Sequence, residues 1–472
     1  MSWFPCRAVM ASAGAGLRGG CFMEAQGTAT PDNAALQGDG AWPPARQAWS
    51  VAALLMAANS LAFVDRQALA FLIEPIKQDI GASDTAMGFA YGLGFTLLYI
   101  GAGIPLAWLA DRSNRRNIVL GSIVFWSMAT SACGLARNYA SLFAARVAVG
   151  AGEAGLGPAS YSLLSDYFPR EKLASAMGLY QSGIYIGGAL ALLTGGWLAG
   201  MIPLEQTVML PVMGEMAGWQ VFFLLLGLPG LLLAGAIWWL IAEPARRGVP
   251  GMAKPQTGSF FEAFTHMRHH SRAYFGLMGG FMLVVFVGNG TGAWIPAFLA
   301  REYGMAMTDI GNSYGLVVLT GGLSGSLSGG VLASRQRSRG SARANLIAPL
   351  IGFTCLIPVT IGFPLMPTPF AAIALIGAMN FFAGFTLGGG LATILELTPN
   401  HLRAQVSMIY VVAINILGGV MGPLSIALLT DYIFQDSQRV AESIATVSAI
   451  ASPLALVALL SAIRALSAKP SQ

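Results

Sequence analysis

Long apolar segments separated by short polar interruptions recur along the whole chain of 472 residues. The segments are around 20 residues long and show no strict alternation of apolar and polar positions, which favours membrane-spanning helices over the strands of a barrel. The pattern predicts twelve helices, at 48–72, 86–110, 116–136, 140–165, 173–200, 219–242, 272–300, 308–335, 342–364, 368–396, 403–432 and 440–467.

The composition agrees with a lipid environment. Hydrophobic residues make up 55% of the chain and charged residues 10%, whereas an average soluble domain carries about a quarter charged residues. The mean hydropathy is +0.64. A backbone in lipid must satisfy its own hydrogen bonds, which helices do within a single segment. We therefore expect an all-α membrane protein with twelve transmembrane helices.

The predicted helices fall into two similar sets of six, separated by the longest break, at 243–271. The segment 109–112 after the second helix matches 332–335 after the eighth, and 166–174 after the fourth matches 396–404 after the tenth. The two offsets along the chain are nearly equal. Two pseudo-symmetric six-helix bundles are typical of transporters whose site lies between the halves near the middle of the membrane.

This organisation predicts four regions along the chain. They are a disordered cytoplasmic tail at 1–45, an N-terminal six-helix bundle at 46–242, a cytoplasmic linker at 243–271, and a C-terminal six-helix bundle with a short tail at 272–472. The N-terminal tail is rich in Gly, Ala and Pro and has no apolar stretch of signal-peptide length. Because Met10 and Met23 are in frame with Met1, the true start codon stays open.

The linker contains apolar side chains at helical spacing. Phe260, Phe261, Phe264 and Met267 fall on one face if this stretch is helical. The spacing predicts a short amphipathic helix that lies on the membrane surface, and an ordinary linker helix fits it as well.

The distribution of basic residues predicts the orientation. Of the 26 Lys and Arg residues, twenty fall in the termini and the even-numbered loops, four in the odd-numbered loops and two inside helices. By the positive-inside rule both termini lie in the cytoplasm. Basic residues at helix ends also explain the net charge of +5, so we expect no nucleic-acid partner. The short loops favour a bacterial inner membrane, and we expect a monomer.

No pattern in the sequence predicts a cofactor, a metal site or an enzyme. The four cysteines have no metal-ligand spacing, and the pair His269-His270 falls in a predicted loop. The segment 150–155 matches a dinucleotide fingerprint, but it lies within a predicted membrane helix with no preceding strand. We expect Gly150 and Gly152 instead to allow close helix packing.

Further glycines of the fifth and eleventh helices suggest packing and hinge positions. They are Gly183, Gly187, Gly188, Gly418, Gly419 and Gly422. The fifth helix lacks the Gly-Pro pair of drug/proton antiporters, which disfavours that class.

Four ionisable residues lie deep in predicted helices: Asp65 and Arg66 in the first, Arg146 and Glu153 in the fourth. Each costs about 2.5–3.5 kcal/mol at a helix centre on insertion scales. Such residues persist when they are paired or face a water-filled cavity. Arg146 and Glu153 are seven residues apart and so share a helix face.

The signs of these charges suggest their roles. Asp65 and Arg146 can neutralise each other, which leaves Arg66 for Glu153 or for an anionic substrate. A carboxyl group shielded from water binds a proton more readily than one in solution, so we assign proton coupling to Glu153 with Asp65. Anion binding is assigned to Arg66 with Arg146. The alternative is two buried ion pairs that only hold the helices together.

The segment 107–116 resembles the loop signature of the major facilitator superfamily, with alanine and asparagine at 107 and 114 in place of the usual glycines. In that superfamily the aspartate and arginines latch the cytoplasmic gate. The resemblance implies this role for Asp111, Arg112, Arg115 and Arg116, and it implies the major facilitator fold. Ser334 replaces the aspartate in the second copy, so we expect a weaker second latch.

A narrower resemblance covers most of residues 60–200. The motifs Val64-Asp65-Arg66, Gly103-Ile-Pro105, Trp126-Ser127 and Arg146 through Glu153-Ala154 are similar to those of the Spinster family of proton-linked lysophospholipid and sphingosine-phosphate transporters. This resemblance implies that Glu153 is protonated during transport, that Arg66 contacts the substrate headgroup, and that Asp65 and Arg146 support them.

The same charge pattern resembles proton symporters for small organic anions, such as sialin and galactonate transporters. Two substrate classes therefore stay open. An amphipathic anion requires apolar lining from the second half, with Phe281, Met282, Phe286, Phe381 and Phe382 as candidates. A small hydrophilic anion requires polar lining, with Asn289, Asn380 and Asn415 as candidates.

Overall fold

A computed structural model shows the architecture of the chain. It describes residues 42–202, 204, 207–210, 214–246, 259–339, 344–386 and 390–467. Nearly all of the predicted N-terminal tail, with Cys6 and Cys21, and the middle of the predicted linker lie outside the described residues.

The first half of the described chain is helical except for one short hairpin. Its helices are α1 (Ala45–Phe71), α2 (Ile73–Ile80), α3 (Asp84–Tyr91), α4 (Leu93–Arg112), α5 (Arg115–Cys133), α6 (Tyr139–Glu153), α7 (Leu156–Tyr167), α8 (Arg170–Met201) and α9 (Gly218–Leu240). Strands β1 (Thr207–Leu210) and β2 (Gly214–Ala217) pair antiparallel between α8 and α9.

The second half follows a short helix, α10 (Phe260–His269). Its helices are α11 (Ser271–Tyr303), α12 (Met307–Ser338), α13 (Ala344–Gly362), α14 (Pro369–Thr386), α15 (Gly390–Leu397), α16 (Arg403–Ile414), α17 (Gly422–Leu428) and α18 (Val440–Ser467). Two π-helical segments, Asn415–Met421 and Leu429–Phe434, flank α17 and join it to α16 into one long helix.

The described helices form twelve membrane passes, six in each half. Ten continuous segments are long and apolar enough to span a membrane on their own. The other two passes are α5, whose first turn holds two arginines, and the interrupted pair α6–α7. The predicted all-α fold with twelve transmembrane helices is confirmed.

Two elements differ from the predicted pattern. Helix α2 follows α1 directly, is only eight residues long, and ends at Gly81 with a positive φ of 65°. The sequence pattern did not predict it because a helix this short cannot cross a membrane. The β1–β2 hairpin lies in a segment predicted as a loop, since four-residue strands carry little periodic signal.

The predicted helix at 140–165 is interrupted beside Glu153. Helix α6 ends at Glu153 and α7 begins at Leu156. Pro158 has no backbone N–H, and its ring disfavours a helical carbonyl four residues earlier, at Ala154. The interruption therefore places the end of α6, and with it Glu153, at a turn inside the bundle.

The two sides of the bundle differ in how the halves meet. We call the side where α1 begins and α18 ends the basic side, and the opposite side the far side. One buried apolar cluster runs through the first half and continues into the far ends of the second half, for example at Phe298 and Ile426. A separate cluster, which includes Met267 and Phe353, holds the basic ends of the second half. Apolar contacts therefore join the halves on the far side.

Helix α10 packs against the second half through one edge. Ala263 and Met267 are buried there, whereas Phe260, Phe261 and Phe264 are exposed. The four apolar residues predicted to share one face thus divide between the protein core and the surroundings.

Candidate functional site

The four membrane-embedded charges meet where α1 crosses α6. Arg66 donates from Nε and Nη2 to Glu153 Oε2, at 2.9 and 2.6 Å. The Glu153 side chain is 1% exposed and the Arg66 side chain is 25% exposed. The pair is therefore closed on the carboxylate side and partly accessible on the arginine side, which we call its open side.

The second oxygen of Glu153 makes no hydrogen bond. Glu153 Oε1 is buried and has no partner among the described residues. A buried acceptor without a partner is costly. A proton on Oε1 would neutralise the buried Glu153 carboxylate.

Aromatic rings frame the open side of the pair. The guanidinium carbon of Arg66 lies 4.2 Å from the ring centre of Phe95, 4.8 Å from that of Phe63 and 5.1 Å from that of Tyr99. These distances suit cation–π attraction. The rings fix the orientation of the guanidinium and leave an apolar rim beside it.

Asp65 and Arg146 do not form the predicted carboxylate–guanidinium pair. Asp65 Oδ2 accepts a hydrogen bond from the Thr130 hydroxyl of α5 at 2.9 Å. Arg146 Nη1 instead donates to the backbone carbonyl of Asp65 at 3.4 Å. A neighbouring hydroxyl therefore satisfies the carboxylate, and Arg146 fastens α6 to the α1 backbone. Both side chains are buried.

Glycines allow the helices to approach closely around this cluster, as predicted. A Cβ at Gly150 would lie 2.0 Å from the Phe95 carbonyl oxygen, and one at Gly152 would lie 2.8 Å from Trp126. Gly183 and Gly187 of α8 pack in the same way against α1. The dinucleotide-like spacing at 150–155 thus serves helix packing.

The loop signature places its arginines within the first half. Arg115 bonds Asp166 and donates to Glu243 Oε1 at 2.7 Å. The Arg116 backbone N–H donates to Glu243 Oε2 at 3.0 Å. Arg112 stacks on Trp108, with 4.2 Å between the guanidinium carbon and the ring centre. We call Arg115, Asp166 and Glu243 the Arg115 network.

Asp111 takes part in this region through its backbone. Its carbonyl oxygen accepts a hydrogen bond from Arg246, which also donates to the Ser113 carbonyl at 2.7 Å. Among the described residues no hydrogen bond joins Asp111 to a helix N-terminus. A carboxylate does cap a helix on the far side, where Asp431 Oδ2 accepts from the Thr85 backbone N–H of α3 at 2.6 Å.

A buried charge network on the far side was not predicted. Arg301 of α11 donates from Nη1 and Nη2 to the two oxygens of Asp84, at 2.8 Å each, and from Nε to Glu74 at 2.8 Å. Lys77 also bonds Asp84. We call Glu74, Lys77, Asp84 and Arg301 the far-side network. It joins the two halves, because Arg301 belongs to the second half and the other three to the first.

The proposed apolar lining of the second half is only partly available. Phe281 and Met282 are buried in the core of the second half, and Phe281 packs edge-on against Phe353. Phe286 also packs against a buried core, the one that joins the halves. Phe381 and Phe382 are half-buried, and Gly321 and Gly325 of α12 pack against the Phe381 backbone.

The polar candidates of the second half are differently placed. Asn289 is exposed. Asn380 and Asn415 each donate to the carbonyl four residues earlier on their own helices, at 2.9 and 2.8 Å. The amide oxygens of these two residues have no hydrogen-bond partner among the described residues.

Comparisons with known proteins agree with this architecture. The Major Facilitator Superfamily profile matches residues 55–423, which is more than half of the chain. The D-galactonate transporter of Escherichia coli O6:H1 is 26% identical, over 83% of this chain and 90% of its own. An MFS-type efflux pump of Mycolicibacterium smegmatis is 26% identical, over 83% of this chain and 86% of its own.

Solved structures give the same result. The crystal structure of a bacterial homologue of the human lysosomal transporter Spinster, inward-facing and unoccupied, covers 90% of this chain and 96% of its own, with a TM-score of 0.71 and 25% identity. The nucleoside transporter NupG shares the fold with a TM-score of 0.66 and 12% identity, covering 88% of this chain and 99% of its own. The relatives and the fold are those of transporters and not of enzymes. The chain therefore belongs to the Major Facilitator Superfamily, as a secondary transporter with a Spinster-like fold.

Proposed function

We propose that the protein is a proton-coupled transporter of anions that works by alternating access. The observation that carries this proposal is the Arg66–Glu153 ion pair, in which the carboxylate is buried and the arginine side chain is partly accessible. In this proposal Glu153 carries the proton and Arg66 contacts the anionic group of the substrate.

Exchange of partners at Arg66 couples the two ligands. If Arg66 turned to a substrate while Glu153 kept its charge, a buried carboxylate would lose its cation, which costs about 3–5 kcal/mol. A proton on Glu153 removes that cost. Anion binding and protonation therefore favour each other. Asp65 and Arg146 take supporting roles, because both are buried and bonded to neighbouring helices.

An amphipathic anion, such as a lysophospholipid or a sphingosine phosphate, suits the open side of the pair. The rings of Phe63, Phe95 and Tyr99 surround the guanidinium. A guanidinium binds phosphate oxygens in a bidentate manner, and the rings offer an apolar surface for the chain that follows the headgroup. The Spinster-like fold is consistent with this substrate class.

A small organic anion is the second candidate. Two relatives are a D-galactonate transporter and a hexuronate transporter. The amide oxygens of Asn380 and Asn415 offer hydrogen-bond acceptors for substrate hydroxyl groups. The Arg66–Glu153 pair suits either class of substrate, so a transport measurement must distinguish the two classes.

We further propose that the basic side faces the cytoplasm of a bacterium, with both termini there and a monomer in the inner membrane. The excess of Lys and Arg on that side supports this orientation. With the halves joined by Arg301 on the far side, the described conformation closes the site toward the cell exterior.

Uptake by proteoliposomes tests the coupling. Purified protein is reconstituted, and uptake of a labelled lysophospholipid and of labelled galactonate is measured with and without a proton gradient. Glu153→Gln mimics the protonated carboxyl and should abolish the stimulation by the gradient while keeping substrate exchange. Glu442→Gln is the matched control, because Glu442 is an exposed carboxylate paired with Arg439.

The outcomes separate the alternatives. Gradient-stimulated lysolipid uptake that Glu153→Gln loses supports both the coupling and the lipid substrate. Galactonate uptake without lysolipid uptake supports the second candidate. Transport that ignores both the gradient and Glu153→Gln would overturn the coupling and leave the pair a structural role.

A further inference from the structure

The junction of α10 and α11 carries a basic run that transport does not use. Residues 268–272 are Arg-His-His-Ser-Arg, and both arginines are exposed on the basic side. Neither Arg268 nor Arg272 makes an ion pair within the described part of the chain. Their charges are therefore available to a ligand.

Exposed aromatic rings lie beside this run. Arg268 follows Phe264 by four positions and Phe261 by seven, so the three side chains share one face of α10. Phe261 is 80% exposed. The burial of Ala263 and Met267 holds α10 against the second half, so the exposed face is fixed relative to the membrane helices.

Three cavities open at the junction, and an arginine borders two of them. One of about 640 Å³ is lined by His269, His270, Arg272, Leu397 and Leu466 among others. Another of about 580 Å³ is lined by Phe261, Phe264, Thr265, Arg268 and His269. His269 borders both, so the two form neighbouring compartments, each bearing one arginine. Such volumes fall within the range of small-molecule sites.

The acidic residue of α10 does not cancel these charges. Glu262 lies in the first turn, and its Oε1 is 3.2 Å from Nε2 of His401. Partial burial, followed by the neighbouring His270, lowers the pKa of His266. His266 is therefore mainly neutral at neutral pH, whereas the two arginines keep their charge at any physiological pH.

We propose that this junction binds the headgroup of an anionic phospholipid from the surrounding bilayer. Arg268 and Arg272 contact the phosphate, and Phe261 and Phe264 lie among the glycerol and upper acyl segments. A guanidinium suits phosphate because it donates two parallel hydrogen bonds. Exposed aromatics beside basic side chains at the ends of membrane helices are typical of interfacial segments. A bilayer lipid is favoured over a soluble phosphate because Phe261 and Phe264 line the same cavity as Arg268.

Native mass spectrometry of the full chain in detergent tests the site. Delipidated protein is titrated with phosphatidylglycerol and with phosphatidylcholine of the same acyl chains. The variant Arg268→Gln/Arg272→Gln should weaken phosphatidylglycerol binding by roughly 30-fold, about fivefold for each charge. Phosphatidylcholine binding should hardly change. The matched control is Arg335→Gln/Arg339→Gln, which removes two exposed charges from the end of α12 on the same side.

Three results would overturn the assignment. The first is wild-type protein that binds phosphatidylglycerol no more tightly than phosphatidylcholine. The second is an equal loss of phosphatidylglycerol binding in both double variants, which indicates a general effect of net charge. In the third case millimolar glycerol 3-phosphate would displace the lipid, which indicates a soluble phosphate ligand. Because all four arginines are exposed, unchanged thermal stability of both variants is the check on folding.

Discussion

In the described part of the chain, a buried arginine bonds two carboxylates on each side of the bundle, but the two arginines join different parts. Arg115 on the basic side is 1% exposed and contacts Asp166 and Glu243, both in its own half. Arg301 on the far side is 3% exposed and contacts Glu74 and Asp84, both in the other half. The same chemistry thus holds one half together at one end and holds the two halves to each other at the other.

This difference bears on alternating access. In the proposed alternating-access cycle, a contact within one half persists while the halves move, whereas a contact between the halves must break in each cycle. The far-side network lowers the cost of breaking, because Lys77 and Asp84 both belong to the first half and stay together. When the far side opens, Asp84 therefore keeps one cation and Arg301 enters water.

The largest expected effect comes from Arg115→Met. The substitution leaves two carboxylates without their shared guanidinium at the meeting point of α5, α7 and the end of α9. Removing one partner from a buried ion pair costs about 3–5 kcal/mol. We expect a strongly lowered melting temperature in detergent and a low yield of folded protein.

The control for Arg115→Met is Arg116→Met. Arg116 engages Glu243 through its backbone N–H, which any residue except proline supplies, so this variant should keep most of the stability. Equal losses in the two variants would mean that the side-chain charge of Arg115 does not carry the effect.

Arg301→Met makes the same chemical change between the halves, and we expect it to alter conformation rather than folding. It removes the bonds that favour the far-side closed state, so the population with an open far side should grow. Pulsed electron spin resonance measures this as a longer distance between spin labels at Gln78 and Gln438, which are exposed on opposite halves. The labels require a background in which the native cysteines are replaced.

Arg439→Met serves as the matched control for Arg301→Met, because Arg439 is a far-side arginine whose acidic partner, Glu442, lies in its own half. It should leave the distance distribution unchanged. The opposite result is that Arg301→Met lowers the melting temperature as much as Arg115→Met and leaves the distances unchanged. The far-side network would then stay intact throughout, and it would not differ from the Arg115 network in this respect.

The sequence predicted the fold well because lipid makes strict local demands. Each membrane pass needs its own apolar run, so twelve passes were visible without tertiary information. The four charges near the middle of the membrane were visible for the same reason, since an ionisable residue there is costly and therefore rare. Arg66 and Glu153 could accordingly be identified as possible partners from the sequence alone.

The pairing of charges was less predictable. Asp84 and Arg301 lie at helix ends, where charged residues are common and carry no signal. The expected direct ion pair of Asp65 with Arg146 does not form, because a hydroxyl on a third helix, Thr130, bonds the carboxylate and Arg146 donates to the Asp65 backbone carbonyl. Hydrogen-bond partners depend on which helices are neighbours, and the apolar pattern does not specify that.

Two glycines allow a finer comparison of contacts within one half with contacts between the halves. A Cβ at Gly325 would lie 2.0 Å from the Phe381 carbonyl oxygen in the same half. A Cβ at Gly322 would lie 2.2 Å from the Tyr185 ring of the other half. Overpacking costs about 1–3 kcal/mol. Gly325→Ala should lower the melting temperature, and Gly322→Ala should mainly separate the halves in the same distance measurement.

The opposite result for the two glycine variants would contradict this expectation. If Gly322→Ala destabilised the fold and Gly325→Ala moved the halves, the contact of α8 with α12 would be permanent and that of α12 with α14 would not. Gly330→Ala is the control, because a Cβ at this position would meet no other atom of the described residues within 4 Å.

The smallest effect is expected for Arg337→Gln, on the basic side of the second half. Arg337 donates to Glu396 at 2.7 Å, but the two side chains are 65% and 54% exposed. Ion pairs in water contribute about 0–1 kcal/mol, so the melting temperature should shift little and the shift should vanish in high salt. A loss as large as that from Arg115→Met would show that both halves are fastened alike. A small loss would show that the basic ends of the two halves are held differently, by a buried network in the first half and by a solvated pair in the second.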